Sequence, residues 1–190
     1  FRLQDKLLTK FPADIQEANA HIAGLKADAQ LAAAHPQGKE DFCGITIKGV
    51  AYDEKKTAGE RLVLACSELP NAEEKVIGSY RGFEMSLRFD AFRTEYQALL
   101  KGQRKYTVPL GTDPLGNIIR LDNSLNSFPE RLTAAENELA PLHQQQAAAQ
   151  IEVEKPFPQE EELAEKSARL AELNAQLDVD EKRHEPEQDE

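Results

Sequence analysis

Seven basic side chains, Lys75, Arg81, Arg88, Lys101, Arg104, Lys105 and Arg120, fall within one stretch and interleave with Tyr80, Phe83, Tyr96 and Tyr106. Cations pair with phosphates and aromatic rings offer bases a stacking surface, so the pattern predicts a nucleic-acid-binding face. Arg81, in Tyr80-Arg-Gly-Phe83, and Arg120 lead the set because they stand beside turns and not in mid-strand. A competing reading is an ordinary antiparallel sheet, with solvated charges on one face and aromatics in the core. Under it, Arg81 and Arg120 cap carbonyls or pair with Asp122.

No other group of residues carries a reaction. The segment LGTDPLGN, 110–117, has neither GxGxxG nor Walker spacing and reads as a turn. His21, His35, His143 and His184 are scattered, with no carboxylate or cysteine at ligand or triad spacing. Cys43 and Cys66 form no CxxC pair and sit among apolar neighbours, which predicts buried free thiols in a reducing compartment. Glu160, Glu161 and Glu162 read as the first turn of a helix, where acids complement the dipole. We therefore expect no catalytic residue, no metal and no cofactor.

These side chains need elements to hold them. Leu8, Ile15, Ile22 and Ala29 recur every seven residues, with Phe11, Ala18, Leu25 and Ala32 between them, which predicts a helical seam. Pro12 predicts either a helix start or a bend there. Residues 42–52 are rich in β-branched side chains and read as one strand, and 55–69 have helical spacing. Val76–Tyr80 and Phe83–Phe89 predict a hairpin across Arg81-Gly82, and Tyr96–Leu100 with Lys105–Leu110 a second one. In 83–89, Phe83, Met85, Leu87 and Phe89 share one face, and Glu84, Ser86 and Arg88 the other. From Leu121 the heptads return, with Leu125, Leu132 and Leu139 on one seam and Phe128, Ala135 and Leu142 on the other. Asp122, Asn123 or Ser124 is the expected cap, with breaks at Pro129 and Pro141. A last seam runs through Leu163, Leu170 and Leu177.

The expected fold class is α+β: long antiparallel coiled-coil helical arms flanking a small, mostly antiparallel β-sheet domain with one helix. The arms are 1–38 and 121–180, the second broken near 156–158. The tip domain is 42–120, and 181–190 is an acidic tail expected to be disordered. The composition agrees, since 40% hydrophobic and 6% aromatic residues without Trp favour a small core with thin seams over one large core.

Net charge is −11, spread unevenly. Residues 42–120 hold 12 basic against 10 acidic side chains, whereas 121–190 hold 6 against 18. An acidic chain argues against nonspecific nucleic-acid or membrane binding by the whole molecule, yet allows a local basic face. Without a signal peptide or a membrane-length apolar run, a cytoplasmic location is expected. A helical pattern already under way at Phe1 reads as a piece of a longer chain.

The runs IGSYRGFEMSLRF, KYTVPLGTDPLGNIIRLDNSL and KPFPQEEELAEKSARLAELNAQLDVDEK resemble the C-terminal region of large mobile-element proteins of gut bacteria. These are Snf-type helicases with adenine-specific DNA methylase regions, carried on conjugative plasmids and transposons. The resemblance implies a module lying beyond the motor and the methylase. No Gly-Lys-Ser or Gly-Lys-Thr nucleotide loop and no Asn-Pro-Pro-Tyr-type motif occurs here, so the implied module is non-catalytic. Two functions follow as expectations. The first is DNA contact through the basic sheet. The second is a structural coiled-coil arm that binds other domains of the parent chain or dimerises through its helices.

Overall fold

The computed structural model describes residues 2–36, 42, 44–155 and 160–183. Six antiparallel strands form one sheet, in the order β2-β1-β3-β4-β5-β6. The strands are β1 (Ile45–Ile47), β2 (Val50–Tyr52), β3 (Lys75–Tyr80), β4 (Phe83–Asp90), β5 (Glu95–Lys101) and β6 (Lys105–Leu110). The helices are α1 (Arg2–Asp5), α2 (Phe11–Ala34), α3 (Lys55–Ser67), α4 (Pro114–Asn126), α5 (Phe128–Glu154) and α6 (Glu160–Arg183). The class is α+β.

The expected strand over 42–52 is a hairpin instead. Lys48 (φ 51°) and Gly49 (φ 81°) both adopt positive φ, the requirement of the tight turn that matches strand twist. Arg81 (φ 48°) and Gly82 (φ 82°) do the same between β3 and β4, where a turn was expected.

Alternation in β4 places Phe83, Met85 and Leu87 at 0% exposure. Register carries that face across the sheet, because Met85 pairs with Leu100 and Leu100 with Tyr106. Helices α3 and α4 cover this face with Ala58, Leu62, Ile118 and Leu121, all fully enclosed. Gly59 permits their crossing, since a Cβ there would overlap the Pro114 carbonyl. The rings of Phe83, Tyr106 and Phe128 then join the two central hairpins to the start of α5, with Tyr106 and Phe128 centroids 5.2 Å apart edge-to-face.

Helix α4 corrects the sequence reading of 110–117 as a turn and of a cap at 122–124. Asp113 caps it by accepting from the Gly116 N–H at 3.0 Å, and Pro114 takes the first turn, where its missing donor costs nothing. The sheet domain thus holds two helices, not one. Asp122 and Asn123 lie inside α4.

Helices α2 and α5 run antiparallel, with Lys26 3.3 Å from Glu136 and the mid-helix residues Ala18 and His21 sharing a groove with Glu138 and Leu142. Pro12 falls in the first turn of α2, which begins at Phe11 as the sequence reading of a helix start there allowed. A π-helical turn, Lys6–Lys10, precedes it, and the Phe11 N–H reaches back to the Lys6 carbonyl. That extra residue accommodates a ring that would clash with the carbonyl four residues earlier. Around Pro129 the chain restarts as α5, whereas Pro141 lies inside it. The expected break near 156–158 and the residues 184–190 of the tail lie outside the described residues, while 181–183 complete α6.

Candidate functional site

The seven expected site residues do not share a face. Arg81 is 9% exposed and belongs to the interior. Its Nε donates to the His35 carbonyl at 2.9 Å and its Nη2 to the Ala32 carbonyl at 3.3 Å. Nη1 donates to Asn126 Oδ1 at 2.9 Å and lies 3.8 Å from Asp122 Oδ1. The Tyr80 hydroxyl donates to the same carboxylate oxygen. One guanidinium therefore satisfies carbonyls at the end of α2 and holds the end of α4, both poles of negative potential. All three of its nitrogens are engaged within the protein, so it presents no fork to a phosphate.

Arg88, Lys101 and Lys105 lie on the outer sheet face and are paired. Arg88 donates through Nε and Nη2 to Gln97 Oε1 at 2.9 and 2.8 Å, and Gln97 in turn donates to Asp90 and Glu95. Lys101 sits 3.6 Å from Glu84, and Lys105 donates to both Glu74 oxygens at 3.0 and 2.8 Å. The Lys105 ammonium, with Ser86 adding a hydrogen bond, holds the Glu74 carboxyl below the usual range. The face expected to be solvated is enclosed at its middle. Ser86 and Leu99, on that face by register, are 1% and 2% exposed. With Glu74, Glu84, Asp90 and Glu95 among the cations, the face has no net positive field to gather phosphates.

The remaining three scatter. Lys75 is exposed at the start of β3. Arg120 leans over Gly111 on α4 and donates to Asn117 Oδ1 at 3.2 Å; it does not pair with Asp122. Asn117, wholly buried, also exchanges hydrogen bonds with the Gly111 N–H and carbonyl, tying α4 to the end of β6. Arg104 is exposed beside the α2–α5 pair, its stem across Gly24.

One organising residue was missed from sequence. Asp28 of α2 is 1% exposed, and its carboxylate accepts from the Gln103 N–H (2.6 Å), the Arg104 N–H (2.9 Å) and the Tyr106 hydroxyl (2.6 Å). Burial, then this carboxylate, pushes the Tyr106 phenol well above its ordinary value. The available signal was spacing: the buried stripe of α2 is Ile22, Leu25, Asp28 and Ala32, so an acid occupies a core position.

Cys66 is buried, and desolvation raises its thiol to about 11. Cys43 and His184 lie outside the described residues. Among the described residues, no three His, Cys, Asp or Glu side chains converge as metal ligands, and no helix is long and apolar enough to cross a membrane. The chain matches no family model, no curated protein and no solved structure. Its functional reading rests on its own side chains.

Proposed function

We propose that this chain is a non-catalytic protein-interaction arm, in which the helices form coiled-coil seams and the sheet domain braces them. The observation that carries the reading is the state of α6. Leu163, Leu170 and Leu173 are 67%, 63% and 50% exposed, and every described side chain of that helix is exposed. Leucines at this spacing on an uncovered helix are the seam of a coiled coil awaiting its second strand. The occupant we assign is the same helix of a second copy.

Rigid attachment supports the same reading. Arg81 and Asp28 bind α2 to two separate hairpin turns through buried charge-assisted hydrogen bonds, so a force or an orientation set at that helix passes to the sheet. The resemblance to mobile-element helicase and methylase proteins fits such a part, one that spaces or joins domains of a parent chain. DNA contact through the sheet is the weaker reading, because its cations are paired or dispersed. Sedimentation equilibrium of the full chain tests the proposal, with Leu170→Lys plus Leu173→Lys as the variant that removes the seam.

A further inference from the structure

Between α2, α5 and the β5–β6 hairpin lies an open cleft of about 290 Å³, with Leu25, Tyr106 and Ala135 among its lining and Arg104, Lys105, Arg131 and His21 around it. Neither arginine has a carboxylate partner among the described residues. The Arg131 guanidinium is held in place, and Arg104 is fixed at its backbone and stem. Arg131 lies over the Tyr106 ring, 5.1 Å from its centroid, while Nε donates to Ser127 Oγ at 2.9 Å and Nη2 to Ser124 Oγ at 3.4 Å. Arg104 is anchored through its backbone N–H on Asp28, with its stem against Gly24. The Asp28 charge itself is turned inward and spent on two amides and a phenol.

We propose that this cleft binds a single phosphate group, carried on a small phosphate monoester or free as inorganic phosphate. The Arg131 guanidinium is held before the ligand arrives and loses little side-chain freedom on binding. The exposed Arg104 guanidinium on the same lining adds a second fork suited to a tetrahedral oxyanion. Lys105 is already neutralised by Glu74, so the lining sets two arginines without a carboxylate partner against one acid, Glu138. The neighbouring groove along the helices is acidic, lined by Asp14, Glu17 and Glu138. That groove repels a polyanion running along α2 and α5, so the phosphate enters end-on and alone. The inference stands apart from the interaction-arm reading, since the cleft involves no residue of α6.

The test follows the melting temperature of the full chain against inorganic phosphate, then adenosine monophosphate, with chloride matched for ionic strength. A saturable rise with both phosphates and none with chloride is expected. Arg104→Gln should weaken binding by about tenfold or more, the equivalent of one charged hydrogen bond. Glu138→Gln should tighten it, and Lys56→Gln, on the exposed side of α3, should leave it alone. Because Arg104 is exposed, its variant keeps the fold, which far-UV circular dichroism checks. Equal effects of phosphate and chloride overturn the proposal, as does wild-type affinity in Arg104→Gln. Far tighter binding of a short single-stranded oligonucleotide than of the monophosphate also overturns it, in favour of an extended polyanion surface.

Discussion

Arg81 and Asp122 face each other at 3.8 Å with only 6% of either side chain exposed, inside the junction where the β3–β4 turn meets the ends of α2 and α4. A buried ion pair contributes little net stability by itself, but removing one partner leaves the other charge in a poor solvent. Here the loss also strips donors from the Ala32 and His35 carbonyls. Arg81→Ala is expected to destabilise the chain by about 3–5 kcal/mol in urea unfolding. A change below about 1 kcal/mol would place Arg81 outside the scaffold and return it to the list of surface cations.

Asp28 does the corresponding work at the β5–β6 turn. Asp28→Ala orphans two backbone donors and the Tyr106 hydroxyl, each worth about 1–3 kcal/mol when buried without a partner. Solvent reaching the turn will recover part of this, so about 3 kcal/mol is expected in total. Amide exchange at Gln103 and Arg104 should accelerate ahead of the β4–β5 core. Unchanged exchange at both would contradict the role given to Asp28.

Cys66 sets an alkaline limit. In the unfolded chain its thiol ionises near 9.0, whereas burial keeps the proton in the folded state to about 11. Between these values the unfolded chain has released a proton that the folded chain still holds. The stabilisation is therefore complete below pH 9 and is lost as pH rises through the window, by roughly 2 kcal/mol from this group. Urea midpoints of the wild type and Cys66→Ala should diverge in pH dependence above pH 9. Identical slopes would show that the thiol is not desolvated.

Much of the sheet was legible in sequence because its signals are local. Alternation in Phe83–Phe89 and the Arg81-Gly82 corner gave β3 and β4, and the gap at 101–104 gave the next hairpin. Lys48-Gly49 was misread because a two-residue turn inside a β-branched run leaves the propensity of that run unchanged. Asp113-Pro114 was read as turn chemistry, although the same dipeptide caps and opens a helix. The basic stretch was harder. Whether an arginine faces solvent or a helix end depends on contacts between residues far apart in the chain, such as Arg81 with Ala32 or Lys105 with Glu74. Spacing along the chain carries no trace of those partners.

Self-association of the full chain through α6 is what an interaction arm requires most directly. That helix carries eight acidic and four basic residues, so two copies repel each other electrostatically while their leucines attract. Salt screens the repulsion without weakening apolar burial. Sedimentation equilibrium at about 0.05 M and about 0.5 M salt is expected to show a dimer that tightens as salt rises, and a monomer for Leu170→Lys plus Leu173→Lys. A wild-type chain that stays monomeric at both salt concentrations would contradict the account.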